Sequence, residues 1–387
     1  MNEIDLSNHI YITSQNSLEE YCQKVKQSSY ICLDTEFIRE NTYYPILCLI
    51  QCLDEKGNLA IIDPLPENLD LDPFKDILFD LNITKVFHAC RQDIEIFYNI
   101  FGKVPTPLFD TQVSAMVCGY GDCAGYETLV RTMLKRRLDK SSRFSDWSQR
   151  PLNKKQIKYA LADVIHLKDI YEKLLKDAKK RCSWIKEEMD LLTNDLTYKV
   201  DIDSAWQRIK VRQPAPDQFM YVLQKIAKWR EEQAINENIP RQFIIRDDVI
   251  AKLATVDLNQ IDYVNHINVS HRVKTAFIPF AKQIIKESYE PKIKVIRPKT
   301  PKQLKFSKDC LEMMKLLLKI KATKHRVAER LIASSDTLKK LCAGKKDISV
   351  LQGWRKEVFG DDAVRMLNNQ VGLQLNRRKI EVVDIEK

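Results

Sequence analysis

Glycine is scarce in this chain. Nine occur in 387 residues, roughly a third of the usual share. There is no GxxxxGK[ST] and no GxGxxG, and the nearest approach, Gly119-x-Gly121-x-x-x-Gly125, has the wrong spacing. That argues against a glycine-cradled nucleotide, and with it against ATPases, helicase motors and nicotinamide enzymes. Ten cysteines contain no CxxC pair and read as free thiols of a reducing compartment, so the expected location is the cytoplasm. Six histidines form no HExxH, which leaves no zinc motif. No apolar run reaches the roughly 18 residues a bilayer span requires. The opening MNEIDLSNHI has neither the basic stretch nor the apolar stretch of an export signal. Neither a membrane nor a nucleotide cofactor is expected as a partner.

What the chain does have is charge, unevenly placed. The 63 Lys+Arg and 53 Asp+Glu give a formal +10. Residues 1–175 hold 20 Lys+Arg and 25 Asp+Glu, a net of −5, whereas residues 292–387 hold 24 and 11, a net of +13. The last quarter therefore exceeds the whole excess, the pattern of an acidic functional half with a basic segment that meets a polyanion. With 44% hydrophobic residues the chain has ample material for a core, and its length suggests two or three domains.

The first third alternates extended and helical signals. Tyr30–Phe37, Pro45–Leu53 and Leu59–Asp63 are β-rich and too closely spaced for helices between them, so they read as three hairpin-connected strands. A helix opens at Asp72-Pro73, a fourth strand runs from Lys85 to Ala89, and another helix follows with Ile94, Phe97 and Tyr98 inward. Asp110 reads as the N-cap of the next helix. A long amphipathic helix spans Asn153 to about Lys179, with its stripe at Ile157, Leu161, Val164, Leu167, Tyr171 and Leu174. This is a mixed sheet flanked by helices. Beyond residue 205 the strand signal nearly vanishes. The expected division is an α/β domain over 1–176, a connection over 177–210, a helical domain over 211–290, a Pro-rich linker over 291–303, a second helical domain over 304–376 and a basic tail over 377–387.

The chemistry sits in the acidic half. Asp34-Thr35-Glu36 ends the first of these strands, and residues two apart on a strand share a face, so both carboxylates point the same way. Two like charges on one face invite a hard divalent cation. DxE recurs at Asp93–Glu95 and Asp384–Glu386, so the pattern alone is weak. Tyr159 and Asp163 lie one helical turn apart, turned from the apolar stripe, with Cβ atoms about 5–6 Å apart. Taken singly, Asp93 reads equally as a helix-terminus cap, and Asp163 as a solvated helix position.

Together the segments LDTEF (33–37), FHACRQD (87–93), FDTQ (109–112), SDWSQRPL (145–152) and YALADV (159–164) resemble the ribonuclease D family, the tyrosine-bearing subtype of the DEDD exonucleases. The resemblance runs in order over about residues 28–175. It continues into the helical segments, which resemble HRDC domains: Trp229-Arg230 and Ile239-Pro240 fit one copy, and Gly353-Trp354-Arg355 with Phe359-Gly360 a second. It implies a ribonuclease H-like exonuclease domain followed by two small all-α HRDC-type domains. It further implies that Asp34, Glu36, Asp93 and Asp163 bind two divalent cations, Mg2+ or Mn2+ (Zn2+ or Co2+ as substitutes in vitro), and that Tyr159 orients the attacking water. The catalytic set is then Asp34, Glu36, Asp93, Tyr159 and Asp163. The implied reaction is metal-dependent 3′→5′ removal of nucleoside 5′-monophosphates from RNA with a single-stranded 3′ end, with tRNA precursors as the expected substrate and a monomer as the working form.

A second tier of residues stands near this set. His88 reads equally as a site contact or a buried structural histidine, and Gln92 is placed to approach substrate. Trp147 and Arg150 either touch the nucleic acid or, for the indole, pack against the long helix. The rival readings are a DNA-directed exonuclease of the same superfamily, a non-catalytic RNA-binding adaptor and a helicase-associated HRDC module; the last lacks a phosphate loop.

Overall fold

The computed structural model describes residues 8–66, 69–138, 142, 145–212, 214–297 and 304–385, with the side chains of 271 and 272 excepted. The start of the expected first domain and of the segment read for an export signal, residues 298–303 of the expected linker, and 386–387 of the expected tail lie outside the described residues.

A six-stranded sheet organises the first half. Its strands are β1 (Ile10–Ile12), β2 (Tyr30–Ile38), β3 (Ile46–Asp54), β4 (Leu59–Ile62), β5 (Thr84–Phe87) and β6 (Leu108–Asp110), in the order β1-β4-β3-β2-β5-β6. β3 and β4 run antiparallel, while β1 with β4, β2 with β5, and β5 with β6 run parallel. The three expected strands and the fourth are present. The edge strands β1 and β6 have three residues each, too few to carry an alternation. Helices α1 (Gln15–Val25), α2 (Asp72–Phe79), α3 (Arg91–Phe101), α4 (Thr111–Val117) and α5 (Tyr126–Leu129) connect and flank them.

The long helix is α6 (Lys154–Ala178), opened by a capping box between Asn153 and Gln156. Its predicted stripe meets the sheet: Leu161, Val164, Leu167 and Leu174 are almost fully buried. Tyr171 lies edge-on to Tyr30 of β2 and to Phe109 of β6, and Glu172 accepts the Tyr30 hydroxyl at 2.6 Å. The even-numbered residues of β2 thus face α6. α7 (Cys182–Leu192) follows.

The described residues of 1–36, 47–197 and 301–387 pack as one compact unit, and those of 37–46 and 198–300 as a second. The second unit holds α8 (Asp217–Asn236), α9 (Arg241–Ile244), α10 (Asp247–Leu253) and α11 (His271–Glu287). Its core gathers the expected Phe219, Leu223, Ile226 and Trp229 with Met220 and Phe277. The loop after β2 belongs to this unit: Tyr43 donates its hydroxyl to Glu231, and Asn238 accepts the Tyr44 amide at 2.8 Å.

The last segment comprises α12 (Lys308–His325), α13 (Glu329–Ile332), α14 (Ser335–Cys342), α15 (Gly353–Arg355) and α16 (Asp361–Leu367), around a core of Leu317, Trp354 and Phe359. It packs on the sheet-bearing half of its unit. The Trp354 ring stacks on Trp184 of α7 at 5.1 Å, and the Trp354 indole N–H and the Arg355 guanidinium both bind the Glu188 carboxylate, at 2.8 and 2.7 Å. Arg181 donates to the carbonyls of Val117, His325 and Arg326. Gly353 has a φ of +50°, and a Cβ there would meet Glu187 Oε2 at 2.0 Å. Only glycine suits both conditions.

One expectation is corrected. Where the sequence reads a frayed basic tail, the chain forms an antiparallel hairpin, β7 (Val371–Asn376) and β8 (Lys379–Asp384). Arg377 and Arg378 make its two-residue turn, both with positive φ. Such turns ordinarily advertise themselves as Asn-Gly, and here two arginines hide the signal inside a charge run.

Candidate active site

β2 brings Asp34 and Glu36 to its C-terminal end on the side that faces α6, as alternation predicts. α6 supplies Asp163. Oxygen atoms of Asp34, Glu36 and Asp163 lie within 4.8 Å of one another. One turn before Asp163, Tyr159 hydrogen-bonds its carboxylate. Asp93 arrives differently. It sits in the first turn of α3, buried, and its Oδ1 accepts the Thr35 hydroxyl at 2.5 Å. Thr35 points to the other side of β2 from its two acidic neighbours. The four acids therefore converge on the strand end from both sides of the sheet.

Desolvation and mutual repulsion govern their protonation. The Asp34 carboxyl is pushed well above the usual range, first by burial and then by the charges of Asp163, Asp93 and Glu36. Glu36 rises to about 9 for the same reasons. Asp163 rises to about 7 through burial, against the pull of the Tyr159 hydrogen bond. Asp93 also rises to about 7 through burial, with the Thr35 hydroxyl opposing. Among the described residues no lysine or arginine pairs with any of the four. Hard carboxylate oxygens in this density, with no counter-charge among the described residues, fit divalent cations.

A cavity of about 420 Å³ opens over two of the acids, lined by Asp34, His88, Tyr126, Glu127, Tyr159 and Asp163 among others. Asp110 organises the backbone beside the acids. The carboxylate caps α4 through the amides of Gln112 and Val113, as expected, and also receives the amides of Ala89 and Cys90 at 3.2 and 2.9 Å. It thereby fixes the turn that launches α3 and Asp93. Ala89, at φ +56°, carries the left-handed step of that turn.

The second-tier residues separate. His88 lines the cavity; its Nδ1 meets Thr111 Oγ1 at 3.0 Å, and burial pushes the imidazole down to about 4. Gln92 is exposed beside Asp93. Trp147 is buried with its ring 6.0 Å from that of Tyr159, so the indole supports the tyrosine. Arg150 is committed inside the protein: it pairs with Asp63 and donates to the carbonyls of Cys48 and Trp147 at 2.9 and 2.8 Å. An anion-seeking role expected of a free arginine does not match that arrangement. Sequence reasoning missed Tyr126, whose ring lies 5.1 Å from His88 and whose hydroxyl donates to the Asp163 carbonyl. It also missed Thr35, hidden between two acids that drew all the attention.

A 3′-5′ exonuclease family model matches residues 9–179, and an HRDC domain model matches residues 220–265. The ribonuclease D of Jannaschia sp. (strain CCS1) is 40% identical, over 97% of this chain and 99% of the relative. That of Acidiphilium cryptum is 39% identical, over 97% of each. The crystal structure of Escherichia coli RNase D, described as an exoribonuclease involved in structured RNA processing, superposes with a TM-score of 0.79 at 28% identity, over 93% of this chain and 99% of that one.

Proposed function

The chain belongs to the ribonuclease D family and is a 3′→5′ exoribonuclease, and from that premise we propose that it trims single-stranded 3′ ends of structured RNAs, tRNA precursors foremost, with two divalent ions, Mg2+ or Mn2+, in the carboxylate site. The observation that carries this reading is the convergence of Asp34, Glu36 and Asp163 within 4.8 Å, with no Lys or Arg partner among the described residues. Asp34, Glu36 and Asp163 would hold one ion, and Asp34 with Asp93 the other. Such ions, when bound, supply charge neutralisation at the scissile phosphate and make water a usable nucleophile at neutral pH.

The chain's own residues do the rest. The Tyr159 hydroxyl, backed by the Trp147 ring and tied to Asp163, orients the attacking water; an ordinary phenol near pKa 10 is a poor base at neutral pH. His88 and Tyr126 wall the cavity that receives the terminal nucleotide. Gln92, exposed beside Asp93, faces the incoming strand. In this reading residues 1–176 carry the chemistry, while 211–290 and 304–376 hold the RNA. Lys319, Lys324 and Lys379 line a groove of about 1050 Å³ between α12 and the hairpin and suit a phosphate chain. Lys321 also lines it, but its charge is taken by Asp362. The working form is a cytoplasmic monomer. Among the described residues no helix is long and apolar enough to cross a membrane.

The test is 3′ trimming of a tRNA precursor beside RNA and DNA tails of matched sequence, with and without magnesium. Wild-type protein releases nucleoside 5′-monophosphates from the RNA substrates and stops at the acceptor stem. Asp34→Ala lowers the rate by about a thousandfold or more, the scale of several kcal/mol of lost transition-state stabilisation. Equal activity with EDTA would refute the metal mechanism, and a preference for the DNA tail would refute the RNA assignment.

A further inference from the structure

We propose that Thr35 is a positioning residue for Asp93, holding that carboxylate in place for the second divalent ion, an inference that rests on the two-ion reading above. Three of the four acids need no help to converge. Asp34 and Glu36 share one side of β2, and Asp163 projects from the helix packed on that side, so strand alternation and helix docking bring their oxygens within 4.8 Å. Asp93 stands outside that group of three. It comes from α3, and Thr35 holds it through the 2.5 Å contact between the Thr35 hydroxyl and Asp93 Oδ1. Both partners are buried, at 6% and 7% exposure, so water does not compete for the bond.

Thr35 is suited to this by its place in the strand. It lies between the two acids but points to the opposite side, where α3 arrives. Its hydroxyl binds Asp93 Oδ1. The Thr35 amide adds a hydrogen bond to the same carboxylate, and both bonds favour the ionised form against the cost of burial. Groups that hold a metal-binding carboxylate from behind typically set metal affinity by roughly 10–100-fold. A β-branched side chain with a stiff χ1 is a better holder than a flexible one.

The experiment is titration of the chelator-stripped full chain with Mn2+, following heat and free-ion EPR signal. Wild type should bind two ions. Thr35→Val, which keeps the shape and loses the hydroxyl, should weaken one binding step by roughly 10–100-fold and leave the other nearly unchanged. Thr35→Ala should show the same selective loss, and Thr35→Ser should largely restore the weak step. In an Asp93→Asn background, Thr35→Val should cost nothing further at that step. Unchanged binding in Thr35→Val, equal weakening of both steps, or a loss that persists in the Asp93→Asn background would each overturn the proposal. A wild-type protein that binds fewer than two ions would instead overturn the two-ion reading beneath it.

Discussion

The end of β2 and the face of α7 both bury carboxylates, and the protein treats them in opposite ways. On α7, Glu188 is 5% exposed and receives the Trp354 indole N–H and the Arg355 guanidinium. Glu231, in the helical unit built on α8, is fully buried with Arg208 at 2.7 Å and Arg241 at 3.2 Å. Each of these acids has its counter-charge within the chain. At the end of β2 four acids crowd together, and among the described residues no Lys or Arg answers them. A buried charge left alone costs several kcal/mol, so the compensated acids are fasteners and the uncompensated ones await charge from outside. The difference locates function better than acidity does, because every one of these residues is acidic.

That contrast can be broken most forcefully at the fastener. Glu188→Ala strands Arg355 and the Trp354 N–H, and should lower stability by about 3–5 kcal/mol in urea unfolding. Asp34→Ala, which relieves repulsion, should lower the stability of the metal-free protein little or raise it. A drop of equal size in both variants would erase the distinction. The next effect is the reply to a cation. Mn2+ at about a hundredfold above its dissociation constant should stabilise wild type by about 2.7 kcal/mol, visible as a raised Tm, and Asp34→Ala should abolish most of that gain.

The smallest effect concerns a third kind of buried group, neither fastened by charge nor waiting for an ion. His88 is held neutral by burial, with its folded pKa near 4 against the ordinary 6.5. A depressed histidine contributes no penalty above pH 6.5, and its burial opposes folding progressively as pH falls toward 4. As pH falls across that window His88 therefore opposes folding by at most about 1.4 kcal/mol per pH unit, while the four acids, raised by burial, pull the metal-free protein the other way. His88→Gln should shift the slope of stability against pH by up to one proton, toward greater stability at the acid end. An unchanged slope would place the imidazole in contact with water.

Much of the site was legible in the residues because its signals are local. Asp34 and Glu36 at a spacing of two, and Tyr159 and Asp163 at a spacing of four, follow from strand and helix geometry, and the structure places both pairs as read. The strands and the long helix were equally plain, because their apolar periods repeat several times. What escaped was pairing at a distance. Thr35 meets Asp93 across 58 residues, Arg150 meets Asp63 across 87, and Arg355 meets Glu188 across 167. No periodicity records such partnerships. Arg150 looked available for phosphate because a sequence displays a guanidinium but not the aspartate that holds it. The hairpin was missed for the opposite reason. Its alternation of Val371, Leu373 and Leu375 was present, but the turn carried arginines where glycine or asparagine would have announced it.

The proline-rich stretch before residue 304 invites a cut there, to separate the catalyst from its basic C-terminal part. The stacked indoles of Trp184 and Trp354 argue that such a cut wounds the piece that is kept. It would bare an aromatic plate on α7, leave Arg181 without two of its three carbonyls, and take from the Met116 carbonyl the Ala328 amide that caps it. A fragment prepared that way would be adhesive and loosened near α4. Its sluggishness would measure the injury as much as the loss of the proposed RNA contacts, so single lysine replacements in the groove beside α12 are the cleaner instrument.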